Sequence, residues 1–225
     1  MKNERNGKGR EYNYRRNIIF EGEYIKGKRN GKGKEYYNNH IIKFDGEFCN
    51  GKKWNGKGYD TSKNEIYELK NGEGKIKEYD YDGNLMLEGE YKNGELEGDV
   101  KEYYAEGNLA FEGKYSFGKR NGFGKEYHFN GRLKFEGDYF YDSKWNGKAF
   151  DESEKFLYKL EDGNGYIKNY SDNGELLSEY EYKQGSITGV GKVYFDGKVI
   201  FEGEYFKGKR NGKGKEYNAK KQIIF

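Results

Sequence analysis

The chain has 225 residues, of which 42 are basic and 39 acidic, so its formal net charge is only +3. This near balance gives no strong attraction to polyanions, and we expect no nucleic-acid partner. No apolar run approaches the roughly 20 residues of a membrane-spanning helix, and a single Cys49 excludes an intrachain disulfide framework.

Aromatic residues are unusually frequent, with 24 Tyr and 15 Phe, while Gly occurs 35 times and Pro is absent. Disordered chains are poor in aromatics, so the composition predicts a folded chain with a thin aromatic core. The absence of Pro favours strands, in which Pro would remove a backbone donor. The N-terminus lacks the apolar segment of a signal peptide, so we expect a cytoplasmic protein, with membrane or cytoskeleton association left open.

One segment, Phe20–Tyr36, returns almost unchanged at Phe111–Tyr127 and Phe201–Tyr217. Weaker copies lie between, and each begins at an anchor residue. The anchors are Phe20, Phe44, Tyr67, Leu87, Phe111, Phe135, Tyr158, Ser178 and Phe201. Four units form a module of about 91 residues that is duplicated, and the two Trp residues, Trp54 and Trp145, lie 91 positions apart. We expect one continuous repeat array over residues 1–225.

Both ends of the chain fall inside a unit. Asn6–Tyr12 is the second half of a unit, and Phe225 is an anchor without a continuation. Uncapped sheet ends expose unpaired backbone groups. We therefore expect either a longer array or ends that something else caps.

Each unit predicts a β-hairpin. Phe20, Gly22 and Tyr24 alternate with charged residues, and a period of two predicts a strand with one aromatic and glycine face. Glycine inside a strand lets a neighbouring ring lie over bare backbone. A second strand is expected after the Asn-Gly of each unit, as in Lys32–Tyr36, but the pattern leaves open which of its residues share the aromatic face.

Two kinds of turn are expected to alternate. Dipeptides between units, such as Asp82-Gly83, Asn130-Gly131 and Asp196-Gly197, suit two-residue type I′ turns. Within a unit, Lys26–Gly31 predicts a longer loop. The result is an antiparallel meander.

These residues resemble the MORN repeat, in which an aromatic, a Gly two residues on and a second aromatic precede Gly-Lys-Arg-(His or Asn)-Gly-x-Gly. The matching residues of the first full unit are Phe20, Gly22, Tyr24, Gly27, Lys28, Arg29, Asn30, Gly31 and Gly33. The second aromatic is Tyr or Phe where the family usually has Trp, and the looser units resemble a bacterial variant found in antitoxin-like proteins. The resemblance implies an all-β, elongated, single-layer antiparallel β-hairpin solenoid.

Nothing in the sequence points to a catalytic residue, a metal site or a cofactor. His40 and His128 occupy non-equivalent positions, and neither has a second His or a Cys at ligand spacing. Cys49 has no equivalently placed His, so a structural thiol is expected. The segment Gly27–Lys34 superficially suggests a phosphate-binding loop, but it lacks the Walker spacing and the hydroxyl for magnesium.

Basic clusters in the predicted loops are the main candidates for contact with a protein partner or an anionic membrane surface. The candidate contact residues are Lys28, Arg29, Lys119, Arg120, Lys209 and Arg210, together with Trp54 and Trp145, which could instead fill the loop. Strongly basic units are four apart, about 40 Å at strand spacing, so no continuous basic stripe is expected. Solvated turns are the alternative interpretation.

The resemblance implies a non-enzymatic scaffold that mediates protein–protein interaction or assembly. The alternatives are peripheral association with anionic lipid, a regulatory region of a larger enzyme, and an antitoxin-like binding protein. An aromatic sheet face of this size needs a cover, supplied by curling of the sheet or by a partner. Homodimerisation is therefore a further hypothesis.

Overall fold

The computed structural model describes residues 4–38, 40–171, 173–218 and 222–224, which leaves the predicted anchor Phe225 outside the described part. The chain divides into two compact units, Met1–Lys119 and Arg120–Phe225. All helix and strand elements found in the described residues are β-strands, and neighbouring strands pair in the antiparallel direction. The predicted all-β hairpin meander is confirmed.

The described residues of the first unit form ten strands that pair in chain order. They are β1 (Gly7–Tyr12), β2 (Ile18–Ile25), β3 (Lys28–Tyr36), β4 (Ile42–Cys49), β5 (Lys52–Tyr59), β6 (Glu65–Leu69), β7 (Gly74–Tyr79), β8 (Leu85–Lys92), β9 (Glu95–Tyr103) and β10 (Leu109–Ser116). Strands β1 to β6 make one sheet and β7 to β10 belong to a second. Between β6 and β7 there is an isolated bridge, from Lys70 to Glu73.

Strands of the second unit also follow one another in chain order, and the first of them begins at the boundary residue. They are β11 (Lys119–Tyr127), β12 (Leu133–Phe140), β13 (Ser143–Phe150), β14 (Phe156–Glu161), β15 (Asn164–Tyr170), β16 (Leu176–Lys183), β17 (Ser186–Phe195), β18 (Lys198–Phe206) and β19 (Lys209–Glu216).

The turns within the repeat units are tight, so the prediction of a longer loop at Lys26–Gly31 is wrong. Strand β3 begins at Lys28, and Ile25 pairs with Lys28 across a two-residue turn. Both turn residues have a positive φ, 50° at Lys26 and 75° at Gly27, as a type I′ turn requires.

Most of the connections between successive repeat units are longer than predicted. In the loop after β5, the Asp60 N–H donates to Asn64 O and the Lys63 N–H donates to Asp60 O, both at 3.0 Å. Lys63 has φ 67°, so a type I turn ends in a left-handed residue. The same five-residue loop surrounds Asp82-Gly83 and Asn130-Gly131. The predicted two-residue turn is right at Asp196-Gly197, because Phe195 pairs with Lys198.

The Asn30-Gly31 dipeptide of the repeat unit does not form the turn. Gly31 adopts φ 97° where the register between β2 and β3 shifts, so it forms a bulge inside the strand. The side chain of Asn30 accepts the Asn50 N–H at 3.0 Å, which holds the turn of the next hairpin. The Asn30-Gly31 dipeptide, which usually indicates a turn, therefore lies inside strand β3.

Rings lie over glycine as predicted. A Cβ on Gly22 would lie 2.7 Å from both the Phe20 ring and the Gly33 Cα. The same arrangement recurs in β5, where the Phe44 ring lies 2.8 Å from a Cβ built on Gly56. Any side chain at Gly22 or Gly56 would displace the ring that covers the strand pair.

The structure decides the parity of the second strand. Glu35 pairs with Phe20 and lies on the aromatic face, so Tyr36 lies on the outer face. There the Tyr36 hydroxyl donates to Glu21 at 2.6 Å. The same bond joins Tyr194 to Glu179 in the second unit at 2.7 Å.

The aromatic face of the first unit is covered by its own chain. Phe20, Phe44, Tyr67 and Ile76 belong to one buried cluster, against which side chains of β8 and β9 pack. The cluster therefore takes residues from both sheets of this unit. The burial of these rings therefore requires no second copy of the chain. In the second unit, the buried side chains include Phe135, Tyr139, Ala149, Leu160, Ile167 and Phe201.

Candidate functional site

A row of alternating charges runs beside the rings on the inner face of the first unit. Arg29 contacts Glu11 at 2.6 Å and Glu35 at 2.5 Å. Lys53 contacts Glu35 at 3.1 Å and Glu78 at 2.6 Å. The most exposed of these five side chains, Glu11, is 26% exposed, so each charge depends on its neighbours more than on water.

The basic members of this row also lie over aromatic rings. The Arg29 guanidinium is 4.0 Å from the centroid of Phe20, and the Lys53 ammonium is 5.1 Å from that of Phe44. A ring face is electron-rich and attracts a partly desolvated cation. The anchor residues of the repeat thus help to hold the ionic row.

Ionisation of the row is set by opposing effects. Burial lowers the pKa of Lys53, but the carboxylates of Glu35 and Glu78 outweigh it and raise that pKa well above its usual value. Burial likewise raises the pKa of Glu35, yet Lys53 and Arg29 bring it below the usual range. Both groups are therefore charged at neutral pH.

The row ends in a closed corner where two loops of the first unit meet. Lys43 lies 3.6 Å from Glu78, and its ammonium is 5.5 Å from the centroid of the Tyr81 ring. The Asn38 N–H donates to Tyr81 O at 2.8 Å, and the Asn38 side-chain amide donates to Asp82 at 2.7 Å. These bonds leave Lys43 only 14% exposed.

The duplicated module repeats this row with one change of charge. Glu126 contacts Arg120 at 2.9 Å and Lys144 at 2.7 Å, as Glu35 contacts Arg29 and Lys53. The position of Glu78, 91 residues on, is Asn169. Its amide donates to the Ser178 hydroxyl at 2.9 Å. Because a neutral amide cannot balance the charge of the Lys144 ammonium, the row in the second unit has one negative charge fewer than the row in the first.

The pKa values record the difference. Burial lowers the pKa of Lys144, and the nearby Lys134 lowers it further, while Glu126 only partly opposes them. The equivalent Lys53, with two carboxylates, has a raised pKa.

A cavity of about 490 Å³ lies beside this second row. Its walls mix lysines with aromatic and apolar side chains, among them Lys134, Lys144, Lys168, Asn169, Phe156 and Tyr158. His128 also lines it, with its Nε2 2.9 Å from Phe150 O. In the first unit the Tyr37 hydroxyl occupies the equivalent place and donates to Tyr59 O at 2.8 Å. The cavity is a candidate small-molecule site of the second unit.

The predicted basic loops are strands, and they separate each Lys-Arg pair. Lys28 is exposed at the start of β3, whereas the Arg29 side chain, 19% exposed, points to the inner face. Lys119 and Lys209 are exposed in the same way, and Arg120 is 23% exposed. Arg210 contacts Glu216 at 2.6 Å but is 51% exposed. Contact of these residues with a partner or lipid stays a prediction.

The two tryptophans cover turns. A Cβ on Gly72 would lie 2.8 Å from the Trp54 ring, and one on Gly163 would lie 2.7 Å from the Trp145 ring. Both glycines have positive φ in two-residue turns, so each half-buried indole shields an exposed hairpin end. A contact role for Trp54 and Trp145 likewise stays a prediction.

Sequence reasoning missed the residues that organise the rows. Glu35 and Lys53 carry no motif, and alternation alone leaves open which face of the sheet Glu35 occupies. The available signal was their repetition, because Glu126 and Lys144 lie 91 positions later beside the same Tyr and Trp neighbours.

The described residues contain no group of three or more His, Cys, Asp or Glu side chains that could hold a metal ion. Cys49 is a free, half-buried thiol. The part of the chain that the structure describes has no helix able to span a membrane.

The comparisons with known proteins agree with the repeat. The MORN repeat model matches residues 20–41, 111–131 and 201–220. None of the curated proteins is significantly similar to the chain. Among solved structures, the crystal structure of TcdB2-TccC3-TEV is 12% identical over 87% of this chain, with a TM-score of 0.19, and this chain spans 12% of that one. The three matched segments begin at the anchors Phe20, Phe111 and Phe201, so this chain contains MORN repeats.

Proposed function

We propose that this chain is a non-enzymatic scaffold that binds protein partners at the tips of its hairpins. MORN repeats are commonly interaction repeats and are a non-catalytic repeat type. The observation that carries the proposal is the exposure of large apolar side chains at the two-residue turns within repeat units, which lie at the opposite end of the strands from the connections between repeat units.

These apolar tips occur in both compact units. In the first, Ile25 is 53% and Phe117 68% exposed. In the second, Phe140 is 53%, Tyr141 44% and Phe206 54% exposed. Aromatic side chains are enriched in the cores of protein interfaces, because they bury a large area at little entropic cost.

Affinity enrichment from cells tests this proposal with a matched control. In the tip variant, Phe140→Ser, Tyr141→Ser and Phe206→Ser are combined. The control is Phe195→Ser, which removes an aromatic that is 72% exposed at a turn between units. We expect partners enriched by the wild type and by the control to be lost from the tip variant, with circular dichroism showing that all three are folded. Equal enrichment by a folded tip variant would refute the proposal.

Peripheral membrane association is the second candidate, because three apolar tips carry adjacent lysines. Lys28 follows the turn after Ile25, Lys119 follows that after Phe117, and Lys209 follows that after Phe206. Such tips suit the boundary between lipid tails and anionic headgroups. The test is flotation with anionic and neutral vesicles over a salt series, using a variant with these lysines changed to Gln. Binding that fades with salt and with the substitutions supports the candidate, and no flotation at low salt excludes it.

Homodimerisation is tested by light scattering, since a strict monomer at high concentration removes it. A regulatory role in a larger enzyme and an antitoxin-like role stay predictions, as does the cytoplasmic location.

A further inference from the structure

The two modules differ at one corner of the ionic row. In the first unit Glu78 lies 2.6 Å from Lys53 and 3.6 Å from Lys43. The equivalent lysines of the second unit, Lys144 and Lys134, have Asn169 at that position. The second module has both cations but carries an amide where the first has the carboxylate between them.

The loops at this corner differ as well. Asn38 and Asp82 close it in the first unit through a 2.7 Å hydrogen bond. Their equivalents, 91 positions later, are Phe129 and Asn173, whose side chains cannot form an amide–carboxylate bond. The second unit has the cavity of about 490 Å³ at this place.

Among the described residues that line the cavity, basic side chains outnumber acidic ones. Its lining includes four lysines, Lys134, Lys144, Lys155 and Lys168, against the carboxylates of Asp151 and Glu152. The Asp151 carboxylate accepts the N–H groups of Ser153 at 2.8 Å and Lys155 at 2.9 Å, so it is engaged in its own loop.

The remaining lysine contacts are weak or shared. Lys144 shares Glu126 with Arg120, and Lys168 lies 3.9 Å from Glu179. Glu152 lies 3.9 Å from the His128 ring. An anion that enters the cavity therefore meets cations whose compensation is incomplete.

We propose that this cavity of the second unit binds a small organic phosphate, with Lys134 and Lys144 contacting the phosphate and the walls around Phe156 and Tyr158 holding its apolar part. Lysine ammonium groups bind phosphate as point charges. The volume lies within the range of small-molecule sites, which combine apolar walls with a few convergent polar groups. The lowered pKa of Lys144 agrees, because a bound dianion would relieve the effect of burial and of Lys134.

Titration calorimetry with phenyl phosphate tests the proposal, with inorganic phosphate and phenol as partial probes. Asn169→Glu restores the carboxylate found in the first unit, and Asn169→Gln is the matched neutral control. We expect the wild type and Asn169→Gln to bind phenyl phosphate more tightly than either partial probe. We expect Asn169→Glu to weaken binding at least tenfold. Equal affinity in Asn169→Glu, or no binding by the folded wild type, would overturn the assignment.

Amide NMR locates the ligand and provides an internal control. Phenyl phosphate should shift the signals of residues 155–158 and leave the equivalent residues 64–67 of the first unit unchanged. Shifts at both places would show non-specific binding to the repeat and contradict the proposal.

Vesicles of phosphatidylcholine with and without 10% phosphatidylinositol phosphate separate a lipid headgroup from a free phosphate. Flotation that Asn169→Glu abolishes would identify a headgroup as the source of the phosphate. Flotation that this variant leaves unchanged, together with its loss of phenyl phosphate binding, identifies a free ligand. Because these variants change Asn169 and leave the hairpin tips intact, a negative result would not contradict the proposed scaffold function.

Discussion

Lys53 and Lys144 occupy equivalent positions in the two modules, yet their surroundings differ. Lys53 lies between two carboxylates, Glu35 at 3.1 Å and Glu78 at 2.6 Å, whereas Lys144 contacts Glu126 at 2.7 Å. The first row is closed and nearly neutral, and the second has an excess of positive charge beside a cavity. Duplication thus preserved the frame and changed the charges that it holds.

The frame itself is the same in both units. A Cβ on Gly46 would lie 2.7 Å from the Cα of Gly56, and a Cβ on the equivalent Gly137 would lie 2.5 Å from that of Gly147. Phe44 and Phe135, which cover these strand pairs, are both fully buried. Glycine and ring positions are constrained by close packing, whereas a partner in an ionic row can be exchanged.

Lys53→Met and Lys144→Met should have unequal effects on stability. The first leaves one excess carboxylate in a nearly neutral row, since Glu35 keeps only Arg29 and Glu78 keeps only Lys43, and we expect this to cost about 3–5 kcal/mol. The second leaves Glu126 in contact with Arg120 at 2.9 Å, and we expect a loss of about 1–2 kcal/mol. The measurement is urea unfolding of each unit.

Each unit contains one tryptophan, so fluorescence can follow them separately. Trp54 reports on the first unit in a Trp145→Phe background, and Trp145 on the second in a Trp54→Phe background. Equal losses for the two lysine variants would mean that Glu78 contributes nothing to the first row.

Gly56→Ala and Gly147→Ala should be equally harmful, in contrast to the lysine pair, because both glycines have a positive φ and equivalent backbone neighbours. Each added methyl meets backbone of the neighbouring strand, and overpacking of this kind costs about 2 kcal/mol. Gly131→Ala is a useful reference, because its Cβ would have nothing within 4 Å and its φ of 80° brings only backbone strain. A clear difference in unfolding midpoint between the first two variants would show that the frame is not shared.

Much of the frame could be predicted from sequence. The period of two and the Gly after each anchor correctly placed Phe20 over bare backbone, because both signals act locally. The Asn-Gly at Asn30 misled the turn prediction, since its side chain acts on a hairpin 20 residues later. The inward position of Glu35 depends on Lys53 and Arg29, which no local pattern identifies as its partners.

The cavity was harder to predict than the frame. Aligning the modules shows Glu78 against Asn169, but that exchange alone does not predict open space. Closure of the first corner depends on a bond between Asn38 and Asp82, which are 44 residues apart. Such a contact follows from how the loops pack and not from the repeat pattern.

Acid should destabilise the first unit more than the second. Hydrogen bonding from Arg29 lowers the pKa of Glu11, and cations outweigh burial to lower the pKa of Glu35 and of Glu126. Because each pKa is lower in the folded state, stability is complete above about pH 5 and declines as the pH falls. Two such carboxylates act in the first unit and Glu126 in the second. Urea midpoints between pH 6 and pH 3 should therefore fall more steeply for Trp54 than for Trp145, and parallel profiles would contradict the comparison.

Alkali should affect the two units alike, because the outer-face bonds are conserved between them. Burial and the hydrogen bond to Glu21 raise the pKa of Tyr36 to about 12. Burial and the bond to Glu179 raise the pKa of Tyr194 to about 12. With the pKa raised by folding, the stabilisation is complete below about pH 10 and declines between pH 10 and pH 12.

Tyr36→Phe and Tyr194→Phe should each cost about 1 kcal/mol at neutral pH. Each should also reduce the alkaline decline of its own unit, as followed by tyrosinate absorbance and urea unfolding. Tyr36 and Tyr194 each lie 16 residues after the anchor of their repeat unit. If they respond equally while Lys53 and Lys144 do not, the repeat keeps its outer-face bond in both modules, and the modules differ on the inner face. Unequal losses of stability in the two tyrosine variants would instead show that the modules differ on both faces. The exchange of Glu78 for Asn169 would then not be the main difference between them.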